Sequence, residues 1–167
     1  MLEKKIEDAL NKQIAYEAYA SNSYLSMASW CEKEGLRGSA LFLYGQSEEE
    51  REHMMKIIKY VNTAGGHAKV SPLKEPLYHY DSLSHVFELA FEHETHVTKQ
   101  INQLAELTLN NKDYTSFHFL QWFLEEQVEE ENLFRTILDI IKHGGKDARS
   151  LLMIDNEIGK MRETVKS

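Results

Sequence analysis

Apolar residues recur along this chain at intervals of three and four, the spacing of one helix face. Four long stripes follow that rule. The first reads Ile6, Leu10, Gln13, Glu17, Ala20, Tyr24, Met27, Cys31, and the second Ser39, Leu43, Gln46, Glu50, His53, Ile57, Tyr60, Ala64. The third reads Leu83, Phe87, Ala90, Glu94, Val97, Ile101, Leu104, Thr108, and the fourth Ser116, Leu120, Phe123, Gln127, Glu130, Phe134, Ile137, Ile141. With Gly35, Gly65-Gly66 and Gly144-Gly145 as stop signals, and Asp81 or Ser82 and Asp113 as N-caps, helices are predicted over about 4–34, 37–64, 82–110 and 113–143. A short fifth helix is predicted over about 148–161.

Helices one and two are separated by only a few residues, so they should be antiparallel neighbours. The stretch over about 66–81 is different. Pro72 and Pro76 exclude a continuous helix there. Extended chain covers about 3.3 Å per residue, enough for the segment to run the length of a helix about 42 Å long. The expected fold is all-α: one domain built as a four-helix bundle with a long crossover between helices two and three, which then run parallel, plus a short C-terminal helix. The apolar residues of that last helix, Leu151, Leu152, Ile154 and Ile158, need a partner outside a completed bundle, and burial between subunits is expected.

The stripes are interrupted at matching heights. Each of the first and third carries one inward glutamate, Glu17 and Glu94. Each of the second and fourth carries a polar pair three residues apart, Glu50 with His53 and Gln127 with Glu130. Glu17 and Glu50 are separated by 33 residues, as are Glu94 and Gln127, so the two halves repeat the pattern. Four buried carboxylates facing one imidazole repel one another unless they are protonated or bind cations. Two divalent ions would neutralise them, and oxygen ligands with one nitrogen suit Mg, Mn, Fe or Zn. Glu49, Glu126 and Glu129 lie beside the stripe and fit either an accessory cation site or a solvated acidic face. Glu48, Glu52, Glu125 and Glu131 read as solvated. Tyr24 reads as a core tyrosine with a satisfied hydroxyl or as a redox neighbour, and Trp122 as packing. His67, His79, His85, His93, His96, His118 and His143 read as solvated or loop histidines.

Composition narrows the partners. Of the 167 residues 42% are hydrophobic, only two are proline, and the formal charge of −8 disfavours nucleic acid and anionic membranes as partners. No apolar run reaches the roughly 18 residues of a membrane span, and Met1 to Ile6 does not open a secretory signal. A single cysteine, Cys31, fits a reducing cytoplasm.

Glu17, Tyr24, Glu49-Glu50-x-x-His53, Glu94 and Phe119-Leu120-Gln121-Trp122 followed by Glu126-Gln127-x-Glu129-Glu130 together resemble the non-haem bacterial ferritins over essentially the whole chain. Bacterioferritins carry a second Glu-x-x-His where this chain has Gln127-x-x-Glu130. They also place a haem-ligating methionine where Arg51 stands, so haem is not expected; Met54 and Met55 are off that position. The resemblance implies a ferroxidase and iron store. One iron would be held by Glu17, Glu50 and His53, and a second by Glu50, Glu94 and Glu130 with Gln127 beside both. Glu49, Glu126, Glu129 and Glu130 would form a third site. Tyr24 would stand with the catalytic set. Dioxygen or hydrogen peroxide would be the oxidant, and ferric mineral would collect inside a homo-oligomeric shell of 24 subunits, with the fifth helix lining four-fold axes. Phe117 and Leu120 occupy the positions that carry acidic three-fold channel residues in animal H-type ferritins, so iron entry by that route is not expected. The competing expectation is a di-iron peroxidase or oxidase with incidental iron binding.

Overall fold

The computed structural model describes residues 2–165. Five helices account for its regular structure: α1 (Lys4–Lys33), α2 (Arg37–Thr63), α3 (Leu83–Asn110), α4 (Tyr114–His143) and α5 (Ala148–Val165). The last runs on past Met161. Local chemistry sets the ends. Ser82 accepts the amide of His85 at 3.1 Å and Asp113 that of Ser116 at 3.0 Å, each satisfying an orphan donor of a first turn. Gly35 follows α1 at φ 81° and Gly65 follows α2 at φ 83°, left-handed conformations that glycine adopts without a Cβ clash.

α1 packs along α2, α3 along α4, and α1 against α3. The crossover is pinned to α1 at both ends. Asn11, near the start of α1, donates to the carbonyl of His67 at 3.0 Å and accepts the amide of Lys69 at 2.7 Å. Trp30, near its end, meets Tyr80 edge to face at 5.7 Å. The segment therefore travels the length of the bundle, and α3 starts at the end where α2 started, so the two run parallel. The fold is the four-helix bundle with a long crossover and an added C-terminal helix.

Two apolar clusters fill the interior. One gathers Met27, Phe42, Leu43, Phe87, Phe134 and Ile137, and the other Leu10, Ile14, Ile57, Ile101, Leu120 and Phe123. The polar stripe positions lie between them. Leu120 is fully buried in its own chain's core, so it lines no channel, and Phe117 packs partly buried against the same cluster.

The fifth helix departs from expectation. Ile154 and Ile158 are buried within the chain, while Leu151, Leu152 and Met153 are exposed. Only part of the apolar surface of α5 is thus left for a partner. Its docking is specific. Leu36 supplies no side-chain cap for α2, and the carboxylate of Asp155 from α5 does so instead, accepting the amides of Gly38 at 2.9 Å and Ser39 at 2.7 Å. A Cβ at Gly38 would stand 2.1 Å from the Asp155 carbonyl oxygen, and one at Gly159 would stand 2.9 Å from the Gly38 Cα. The two backbones touch at a contact only glycine permits. Asp155→Ala is expected to cost about 1–2 kcal/mol, the worth of a lost N-cap. Chemical denaturation checks this, and an unchanged midpoint would show that the cap contributes nothing.

Candidate metal centre

The polar belt between the two apolar clusters holds Glu17, Glu50, His53, Glu94, Gln127 and Glu130, each buried. Helical periodicity explains the placement. These positions continue stripes that are otherwise apolar, so packing the stripes carries the polar side chains inside with them.

The hydrogen bonds are asymmetric. Gln13 Nε2 donates to Glu17 Oε1 at 2.8 Å, and Gln46 Nε2 donates to Glu130 Oε2 at 2.8 Å. Tyr24 donates its hydroxyl to Glu94 Oε1, while Gln127 Nε2 reaches Glu94 Oε2 at 3.1 Å and the Glu94 carbonyl at 3.2 Å. Glu17 Oε2 is buried with no hydrogen-bond partner. It faces His53 Nδ1 at 3.9 Å, and Glu50 Oε2 faces the same nitrogen at 3.6 Å. Among the described residues no lysine or arginine forms an ion pair with any of the four glutamates. The His53 ring is held edge-on by Trp122 at 5.3 Å and Phe123 at 6.0 Å.

Electrostatics follow from that geometry. Burial, which penalises the charged form, pushes Glu17, Glu50 and Glu130 well above the usual carboxylate range, and the neighbouring glutamates push them further. Glu94 is raised by burial to about 7, the hydrogen bonds from Tyr24 and Gln127 pulling it back. Tyr24 itself is raised well above its ordinary value by burial and by Glu94. The belt is short of positive charge, and a dication would supply it. Tyr24→Phe removes one of the two bonds that stabilise ionised Glu94. The midpoint pH for cobalt(II) binding by the apo-protein is then expected to rise, and an unmoved profile would show that this hydroxyl does not tune the centre.

Two groups bring one ligand atom per residue within 4.8 Å of one another: Glu17 with Glu50 and His53, all buried, and Glu49 with Glu126 and Glu130, the first two half-buried. Glu50, Glu94 and Glu130 share the belt but do not close into such a group. Gln46 and the Tyr24–Gln127 pair hold Glu130 and Glu94 instead. Glu129 is exposed and lies on the rim of a recess it shares with Glu49, Glu126 and Glu130. Burial raises Glu126 above its ordinary value.

Gln13 and Gln46 took no role in the sequence reading, although each stands four residues before an inward glutamate. That spacing was the available signal for Gln13, which bonds along its own helix. His93 also differs from expectation. It is half-buried: its Nε2 is buried without a partner, its ring meets Tyr24 edge-on at 6.1 Å, and burial lowers its pKa to about 4.

Comparisons with known proteins agree with this architecture. Residues 7–143 match the ferritin-like domain. The chain is 45% identical over 158 residues to the bacterial non-heme ferritin of Campylobacter jejuni, covering 95% of each. It is 42% identical over 161 residues to a probable bacterial non-heme ferritin-like protein of Haemophilus influenzae, covering 96% of this chain and 98% of that one. A solved open-pore ferritin from the archaeon Archaeoglobus fulgidus superposes with a TM-score of 0.93 at 39% identity, over 95% of this chain and 98% of that one. The chain belongs to the ferritin family and, within it, with the bacterial non-haem ferritins.

Proposed function

We propose that this chain is the subunit of a cytoplasmic iron store that oxidises ferrous iron at the buried belt and keeps the ferric product as mineral inside a homo-oligomeric shell of 24 subunits. The observation that carries the reading is the charge imbalance of the belt. Four buried carboxylates, one imidazole and an orphaned Glu17 oxygen form a poor core and a good dication site. Iron here is substrate and cargo. Glu17, Glu50 and His53 take one ferrous ion. Glu50 also takes a second, joined by Glu94 and Glu130 as they turn from their neutral donors, with Gln127 beside it. Glu49, Glu126, Glu129 and Glu130 take a third at the more open acidic recess, where Glu129 turns in from the rim.

The chain's own groups handle the protons. Carboxyl groups held protonated by burial release protons as cations arrive, and His53 supplies the one nitrogen ligand. Two ferrous ions supply two electrons, and dioxygen with two protons is reduced to hydrogen peroxide. Carboxylate-rich coordination with few nitrogen donors suits a site that must let its ferric product go.

Aerobic addition of ferrous iron to the purified apo-protein, followed by size exclusion, tests the proposal. A large shell that co-elutes with many ferric ions per chain is expected. Uptake that stops at two or three per chain without a shell would favour a di-iron peroxidase or oxidase instead.

A further inference from the structure

The belt has two flanks of opposite chemistry. On the α2–α4 flank, two recesses reach it, of about 350 Å³ and about 270 Å³, both lined by Glu49 and Glu126. The first exposes a path to His53. Lys56 and Lys59 share the wall of that first recess with three carboxylates, whereas the second carries Glu49, Glu126, Glu129 and Glu130 with no lysine or arginine and is the one that favours cations. On the α1–α3 flank, under the crossover, lies a separate cavity of about 140 Å³. Its walls include Tyr24, Met27, Leu77, Tyr80, Leu89 and His93, with no carboxylate, lysine or arginine among its lining residues.

We infer that this second cavity, resting on the proposed ferroxidase reading, is the holding site through which a neutral O–O oxidant, dioxygen or hydrogen peroxide, approaches the belt from the side opposite to iron. Three features carry it. Tyr24 is the shared wall: it lines the cavity, and its hydroxyl donates to Glu94 in the belt. Apart from Ser23 and His93 the cavity is walled by aliphatic and aromatic residues, where dioxygen is at no disadvantage and a hydrated dication would lose its water without compensation. His93, also in the wall, has a buried Nε2 with no partner, which hydrogen peroxide, unlike dioxygen, can satisfy. The cover is a fixed strap. Ser26 and Tyr80 both donate hydroxyls to the Leu77 carbonyl, the latter at 2.7 Å. The outer side of Leu77 is exposed, which puts solvent one side chain away.

The test fills the cavity from residues remote from the ligands. Leu89→Trp and, as a second variant, Ser23→Leu are assembled as full shells. Anaerobic cobalt(II) titration reads the belt, and stopped-flow oxidation of ferrous iron is followed at varied oxidant concentration. Cobalt stoichiometry and spectrum should match wild type, while the second-order rate constant for the oxidant falls by about tenfold. Parallel runs with dioxygen and with hydrogen peroxide identify the guest, and a loss with either supports the cavity as its route. Wild-type rate constants for both oxidants in both filled variants would overturn the inference alone. Absence of oxidation in the wild type would overturn the proposed function, and the route with it.

Discussion

Glu50→Ala abolishes fast oxidation of ferrous iron and leaves the bundle folded. Glu50 is the one carboxylate assigned to both of the main ions, and it stands beside His53 with its Oε2 3.6 Å from Nδ1. Removing it takes a ligand from each ion at once. A loss of at least about a hundredfold in the initial rate is expected, measured by stopped-flow absorbance on the assembled shell. Stability should move the other way. Truncation forfeits some packing, on the order of 1 kcal/mol. It also removes a carboxyl group that burial and Glu94 hold well above its ordinary pKa. The benefit grows with pH, because the wild-type group becomes harder to keep protonated. The variant should therefore gain on the wild type between pH 5 and pH 8 in apo-protein melts. Unchanged kinetics would remove Glu50 from the centre. Loss of fold together with activity would show that the carboxylate is a structural member of the core.

The apo-protein itself should become less stable as pH rises, and a divalent cation should reverse the trend. The sign follows from proton binding. Glu17, Glu50, Glu94 and Glu130 all have folded pKa values above the unfolded ones, Glu94 reaching about 7. Between the two values the folded state holds more protons than the unfolded chain, so unfolding free energy falls with pH. The contribution is complete below the ordinary carboxylate range near pH 4.5. It is lost progressively as pH rises from there through the folded values, and for Glu94 the loss is nearly complete once pH passes about 7. A cation that binds only the folded belt adds RT ln(1 + [L]/Kd), about 2.7 kcal/mol at a hundredfold excess over Kd. It competes with protons, so its effect is larger at pH 8 than at pH 5. Calorimetry with and without cobalt(II) at both pH values measures the difference. An apo-protein as stable at pH 8 as at pH 5, with equal cation effects at both, would mean that the belt is already neutralised within the chain.

Much of the architecture could be read from local pattern. The stripes Leu10–Glu17–Tyr24 and Phe87–Glu94–Ile101 are strictly periodic, and the α-helix turns 3.6 residues whatever surrounds it. Inward direction therefore followed from spacing alone, and the inward glutamates, His53 and Gln127 are indeed buried in one layer. Pro72 and Pro76 marked the crossover for an equally local reason, since proline lacks the amide a helix needs.

Other features depended on partners that no periodicity names. Gln46 lies one turn before Glu50 in sequence, yet its amide goes to Glu130, 84 positions further on. Which acceptor it meets is set by the relative height of α2 and α4. His93 lies off the stripe of α3, and only the crossover packed across α1 and α3 turns that flank into a cavity wall. Glu129 belongs to the same acidic run as Glu126 and Glu130 but points outward, because successive helix positions turn by about 100°.

The chain by itself determined the number of helices, the faces they bury and the height at which polar groups enter the core, because those are consequences of backbone geometry within single segments. The tertiary structure decided which buried carboxylates crowd together, which side chain donates to each of them, and that Asp155 of α5 caps α2 from more than a hundred residues away. Such pairings depend on the register and approach of separate helices, which the packing of whole faces sets and no single stripe encodes.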